Sequence, residues 1–251
     1  MVNIILDLDE TLIHTVKITT TFSKLLANSV DFWFKINNQY FWVLKRPGLA
    51  IFIEFVYKHF NVGIWTAAEK DYAKEICRNI LSLDQINKSK FIYSRNFCYL
   101  DSSLGPAGFT KPLEKIYKIH SDLFNHMNTI MIDNNSHVMR FNHHNGIHVP
   151  DFNGDPNDRI LYQLRNMIIQ YYHNVPMHLP VWGLVDNVNK AFAQNHDIVV
   201  NGRRQISPLR QEQIILQTGG AAKNKISLKF NPIVKQNTKP KPKPKKLSLK
   251  L

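Results

Sequence analysis

Two carboxylates one residue apart, Asp7 and Asp9, close the aliphatic run VNIIL (2–6). An extended backbone places alternate side chains on one face, so both acids share an edge and Leu8 turns the other way. Two anions about 4 Å apart repel by roughly 4 kcal/mol at an effective dielectric of 20, which calls for a cation or a shared proton. Oxygen donors of this hardness suit Mg2+. A DxD triplet by itself is common and reads equally well as a solvated strand end. Here it has company. TIMIDNN sets Asp133 and Asn134 at the end of a second apolar run, and GIWTAA sets Thr66 after a third, where a hydroxyl and the following amides could hold a phosphate oxygen. Lys111, in GFTKPLEKI, precedes a helix that leads into the Asp133 strand. Taken singly, Thr66 is a helix N-cap, Lys111 a solvated loop lysine and Asp133-Asn134 an Asx turn. Taken together, all at strand–loop junctions, they describe one site.

Periodicity predicts the elements that must carry these residues. Val2–Leu6 has the pattern of a strand buried on both faces. Residues 31–45 hold two aromatic-rich alternating runs around Asn37-Asn38, a hairpin signal. Pro47 and Gly48 open a helix over Ala50–His59. A strand at 61–65, a helix at Glu69–Leu81, a strand at 91–93 and a helix at Leu113–Phe124 follow. Strands at 129–132 and 147–149 and a helix from Pro156 to Tyr171 complete the series. This alternation predicts an α/β fold: a mostly parallel central sheet, helices on both faces and a small β-hairpin insertion. Ligands in such folds collect at the carboxyl ends of strands. Past residue 180 the pattern weakens to a helix near Val185–Ala193 and a polar stretch, QEQIILQTGG, with no legible role. The expected organisation is a catalytic domain over 1–180, an extension over 181–220 and a disordered Lys/Pro-rich tail over 221–251.

The chain has 251 residues, 44% hydrophobic and 20% charged, enough for one large α/β domain or two small ones. Its formal charge of +13 is unevenly placed: ten of the 32 basic residues follow residue 220, where no acid occurs, leaving 22 basic against 19 acidic residues before it. The tail could therefore serve as a nuclear-targeting signal or a tether to nucleic acid or an acidic partner, or be a solvated segment with no partner. Two cysteines, Cys77 and Cys98, without a CxxC pair, exclude a disulfide framework and a four-ligand zinc site. The opening MVNIILDLDE lacks a basic n-region, and no apolar run approaches the roughly 18 residues of a membrane span. A reduced intracellular location, cytoplasmic or nuclear rather than secreted, is expected. His143, His144 and His148 lack metal-ligand spacing, and P-loop, serine-hydrolase and zincin motifs do not occur.

ILDLDETLIHT (5–15), VLKRPG (43–48), WTAA (65–68), Lys111 and IMIDNN (130–135) together resemble the motifs of the haloacid dehalogenase superfamily. More narrowly they resemble its branch of RNA polymerase II carboxy-terminal-domain (CTD) phosphatases and nuclear-LIM-interactor-interacting-factor-like phosphatases, over about residues 2–172. The resemblance implies a Rossmann-like fold and two-step phosphoryl transfer. Asp7 would attack phosphorus to form an aspartyl-phosphate, and Asp9 would act as general acid and then base. Mg2+ would be held by Asp7, the Asp9 carbonyl, and Asn134 or Asp133; Thr66 and Lys111 would bind phosphoryl oxygens, and Thr11 would support the loop after the nucleophile.

One departure bears on substrate. The small phosphatases of that branch carry an arginine shortly before the lysine, whereas DSSLGPAGFTK has none between Arg95 and Lys111. The aromatic hairpin (Phe32, Trp33, Phe34, Tyr40, Phe41, Trp42) either offers a groove to a proline-containing phosphopeptide or is ordinary cross-strand packing. The leading expectation is a Mg2+-dependent phosphoserine/phosphothreonine protein phosphatase acting on CTD-like phosphopeptides. The alternatives are a phosphopeptide-binding scaffold with little turnover and a nucleic-acid end phosphatase tethered by the tail.

Overall fold

The computed structural model describes residues 1–18, 30–105 and 108–201; the tail expected from 221 lies outside them. The first strand, β1 (Asn3–Leu6), is buried along its whole length. It is flanked by parallel partners, β5 (Asn61–Trp65) and β9 (Thr129–Asp133), with Leu6 in register with both Ile64 and Ile132. Before β5 come β2 (Ile13–Ile18), β3 (Phe32–Ile36), β4 (Gln39–Lys45) and α1 (Leu49–His59). Between β5 and β9 lie α2 (Lys70–Ile80), α3 (Leu83–Lys88), β6 (Ile92–Tyr93), β7 (Tyr99–Leu100), β8 (Phe109–Thr110) and α4 (Leu113–Ile119). After β9 come β10 (Gly146–His148), α5 (Ile160–Asn174) and α6 (Trp182–Asn201).

The central sheet has the order β10-β9-β1-β5-β6 and every pairing in it is parallel. Its two faces divide the core by strand alternation: Ile4, Leu6, Ile130 and Ile132 join the cluster that packs on α1, α2, α5 and α6, whereas Ile5 and Met131 join Leu113 and Ile116 of α4. The predicted α/β architecture, helices on both faces and a hairpin insertion, is what forms. The insertion is the antiparallel sheet β2-β4-β3. Its β3–β4 turn puts Asn37 (φ 48) and Asn38 (φ 62) in the left-handed region, as a two-residue turn between twisted strands requires. At the start of α1, Gly48 has φ 85, and a Cβ there would come within 2.8 Å of the Tyr162 ring, so both backbone and packing demand glycine.

Several elements differ from the periodicity. The helix expected through Phe124 ends at Ile119, because His120 leaves helical geometry to meet the Tyr93 hydroxyl through Nε2 (2.8 Å) while Phe124 turns into the core. The helix expected from Pro156 begins at Ile160: Asp155 and Asp158 accept from the N–H groups of Asn157 and Ile160, forming Asx turns instead of a first helical turn. The periodicity does not pick out β2, nor the short elements α3, β7 and β8. Beyond residue 180, Val181, Leu184, Val185, Val188 and Phe192 join the main core, and Asn189 pairs with β10, accepting from His148 N–H (2.9 Å) and donating to Gly146 O (2.8 Å).

Candidate active site

Register brings the predicted residues to one edge. Asp7 follows β1, Thr66 follows β5 and Asp133 ends β9, so the three central strands deliver all three to the carboxyl end of the sheet. Past β1 the chain makes a tight return, with Leu12 and Ile13 both donating to Leu8 O. Glu10 sits there at φ 56, a left-handed conformation rarely adopted by a residue other than glycine, held by hydrogen bonds from its N–H to Ile13 O and from Phe152 N–H to its own carbonyl. Its side chain meets His14 Nδ1 at 2.8 Å. Leu8 is buried in the core while Asp7 and Asp9 both turn to the site, as the alternation predicts.

The cation that Asp7 requires is supplied within the protein. Lys111 Nζ donates to Asp7 Oδ1 (2.5 Å) and to Asp133 Oδ2 (2.7 Å), and all three groups are buried. Burial alone would lower the lysine's pKa, but Asp133 and Asp7 outweigh it and push it up; burial pushes Asp7 up, against Lys111. The loop bearing Lys111 is clamped by Asn142, which donates to Lys111 O and accepts from Leu113 N–H. Asp133 is fully engaged, its Oδ1 accepting from Asn135 N–H at 2.8 Å.

Asp9 occupies a separate corner. Tyr72 on α2 donates its hydroxyl to Asp9 Oδ1 and lies 2.7 Å from Thr15 Oγ1, while Thr66 Oγ1 stands 3.5 Å from Asp9 Oδ2 and accepts from Ala68 N–H (3.0 Å). Burial and the charge of Asp7 push Asp9 up to about 6, with the Tyr72 hydrogen bond opposing them. Thr11 Oγ1 accepts from Asn134 N–H and donates to Asn134 Oδ1, both at 3.0 Å. The arrangement therefore holds a lysine-paired carboxylate, a second carboxylate pushed up by burial and by the charge of Asp7, and a hydroxyl 3.5 Å from that second acid.

For a divalent cation the donor set is oxygen throughout. Asp7, the Asp9 carbonyl and Asn134 or Asp133 could hold it, all being hard donors of the kind that suits Mg2+. An amide oxygen has two lone pairs, so Asn134 Oδ1 can take the Thr11 proton and still donate. The Asp133 oxygens each accept one hydrogen bond, Oδ2 from Lys111 and Oδ1 from Asn135 N–H, and each likewise keeps a second lone pair, so Asn134 and Asp133 both retain an oxygen able to donate.

Residues 2–176 match the family of NLI interacting factor-like phosphatases. The chain belongs to this family. A CTD phosphatase-like protein of Invertebrate iridescent virus 6 is 30% identical over 177 residues, covering 67% of this chain and 97% of the relative. CTD nuclear envelope phosphatase 1 of Xenopus laevis is 27% identical over 174 residues, covering 66% of this chain and 65% of the relative. Among solved structures, that of Fcp1, an essential RNA polymerase II CTD phosphatase, aligns at 19% identity with a TM-score of 0.47, covering 87% of this chain and 66% of that one. The family match over residues 2–176 agrees with the motif resemblance read over about 2–172.

Within this NLI interacting factor-like domain, three supporting residues escaped the sequence reading. Arg46 is buried and donates to Thr11 O (3.0 Å), to Pro150 O (2.8 Å) and, through Nε and Nη2, to both oxygens of Asp158. It thereby ties the loop after Asp7 to the exit of β10 and the start of α5. Only its place within VLKRPG marked it beforehand. Tyr72 gave no signal at all, being one aromatic in an amphipathic helix. The aromatic hairpin explains its position: Phe34 and Phe41 stack at 5.2 Å and both meet the Tyr72 ring edge-on, at 5.5 and 5.6 Å. Those two rings are cross-strand packing, while Trp33 (58% exposed) and Tyr40 (42%) pair on the other face. Asp151 accepts from Asn134 Nδ2 at 2.8 Å. Arg95, last before the arginine-free stretch, rests against the Thr66 loop, with Nε on Ala67 O and its backbone N–H on Ala68 O, both at 2.8 Å.

Proposed function

We propose that this domain is a Mg2+-dependent phosphoserine/phosphothreonine protein phosphatase that works through an aspartyl-phosphate on Asp7. The observation that carries the reading is the contact geometry of Asp9, which touches the phosphate-binding candidate Thr66 and lies two residues from the lysine-paired Asp7. In the first step an Asp7 carboxylate oxygen attacks phosphorus, the bond to the serine or threonine oxygen breaks, and Asp9 gives its proton to that oxygen. In the second, water attacks phosphorus, Asp9 takes its proton, and the bond to Asp7 breaks to release inorganic phosphate. Thr66 and Lys111 bind the equatorial oxygens, Asp133 anchors Lys111, and Thr11 shapes the loop. Asp7, the Asp9 carbonyl and Asn134 would hold Mg2+, which when bound supplies positive charge to the phosphoryl oxygens and keeps Asp7 ionised.

Phosphorylated protein is the proposed substrate class, with CTD-like phosphopeptides the first to try. Retention of both Asp7 and Asp9 favours turnover over a binding-only scaffold. The lysine-rich tail after residue 220 is proposed as a tether to a polyanion, and an intracellular setting, cytoplasmic or nuclear, goes with that reading. No helix among the described residues is long and apolar enough to cross a membrane. The test is phosphate release from an aryl phosphate and from phosphorylated heptad peptides, with Mg2+ or EDTA. Activity that needs Mg2+ and vanishes in Asp7→Asn supports the reading; a folded protein inactive on both, or one whose activity survives Asp7→Asn, overturns it.

A further inference from the structure

Asn134 can serve a cation only through its oxygen, and an amide presents oxygen or NH2 to the same place by a half-turn about its last bond. The Thr11 hydroxyl does not choose between the two orientations. It already accepts from Asn134 N–H, and it could donate to the amide oxygen or accept from a flipped NH2. Asp151 does choose. Its carboxylate only accepts, and it lies 2.8 Å from Nδ2, so a flipped amide would set oxygen against oxygen.

Asp151 is exposed, yet its backbone is fixed on every side. Val149 N–H donates to Asp133 O (3.1 Å), Pro150 O accepts from the buried Arg46, and Phe152 N–H donates to Glu10 O (2.7 Å) with its ring in the core. The segment is thus stitched to both aspartate-bearing loops, and the carboxylate is delivered to Asn134 by structure rather than by side-chain freedom. The hydrogen bond to Asn134 is the sole one found for the Asp151 side chain among the described residues.

We propose that Asp151 is a positioning residue that locks the Asn134 amide with its oxygen toward the cation site, and so sets the affinity for Mg2+. The inference rests on the reading of Asn134 as a donor, and the experiment separates the two. Mn2+ binding to the full chain is followed by electron paramagnetic resonance and Mg2+ binding by calorimetry, in the unaltered protein and in Asp151→Ala, Asp151→Asn and Asn134→Ala. Loss of an outer partner of a metal ligand weakens affinity by about 10–100-fold, and that loss is expected for Asp151→Ala. Asp151→Asn retains an acceptor for Nδ2 and should recover part of it. In turnover, the Mg2+ concentration for half-maximal rate should rise far more than kcat falls, a split that a loosened fold would not produce. Unchanged metal affinity in both Asp151 variants, with affinity lost in Asn134→Ala, overturns the role of Asp151 alone. Unchanged affinity in Asn134→Ala overturns the donor reading and the inference with it.

Discussion

Lys111 Nζ lies 2.5 Å from Asp7 Oδ1, and the same ammonium reaches Asp133 Oδ2 at 2.7 Å, so one buried cation holds two buried anions. Removing it should be costly in both stability and activity. Lys111→Met leaves two carboxylates without their partner, and breaking a buried pair in this way costs about 3–5 kcal/mol. Urea unfolding of Lys111→Met, Asp133→Asn and the double variant measures this. The double variant should be less destabilised than the sum of the singles, because neutralising Asp133 removes one of the stranded charges.

Asp9 and Tyr72 should separate chemistry from support. Asp9→Asn keeps the shape but has no proton to exchange, and turnover should fall about 10²–10⁴-fold, the range for a general acid/base. Tyr72→Phe retains the ring packed on Phe34 and Phe41 and loses the hydroxyl on Asp9, so stability should drop by about 1 kcal/mol. Its turnover should lie between those of Asp9→Asn and the unaltered protein. Steady-state kinetics with an aryl phosphate, beside thermal melts, would read both.

Asp7, Asp9, Thr66 and Asp133 were legible because each ends or follows an apolar run, and a parallel sheet leaves one edge for such ends to meet, whereas Lys111 was marked by the motif resemblance and its place before a helix. The alternation of those runs likewise set out the central sheet. Tyr72 and Asp151 were not legible, since an amphipathic helix and a polar loop say nothing of which distant carboxylate or amide they will face. Asp155 and Asp158 misplaced the start of α5 for a related reason: their side chains bind backbone N–H groups, and Asp158 also answers Arg46, partners 112 positions apart. Local pattern predicts elements; it does not predict which polar side chains the tertiary fold will take away from them.

Arg46 should tolerate no substitute. Its fork binds Asp158 through Nε and Nη2 while Nη1 and Nη2 hold two carbonyls, a planar array that an ammonium cannot reproduce. Arg46→Ala should cost about 3–5 kcal/mol by leaving Asp158 and the two carbonyls unpaired. Arg46→Lys keeps the charge and should still be destabilised, with turnover reduced because Thr11 O and Pro150 O lose their common anchor. Melting temperatures and kcat of the two variants test this; a lysine variant equal to the unaltered protein in both would show that charge alone suffices.

Asn189 should act as a one-residue substitute for a neighbouring strand. β10 is the edge of the central sheet, and the Asn189 amide accepts from His148 N–H and donates to Gly146 O, the pair of groups that a next strand would satisfy. Its helix is held there by Val181, Leu184, Val185, Val188 and Phe192. Asn189→Leu keeps the apolar packing and removes both hydrogen bonds to the strand, at a cost of about 0.5–1.5 kcal/mol. In the native state the His148 amide should exchange its hydrogen faster in this variant, while the amides of β1 and β9 keep their protection.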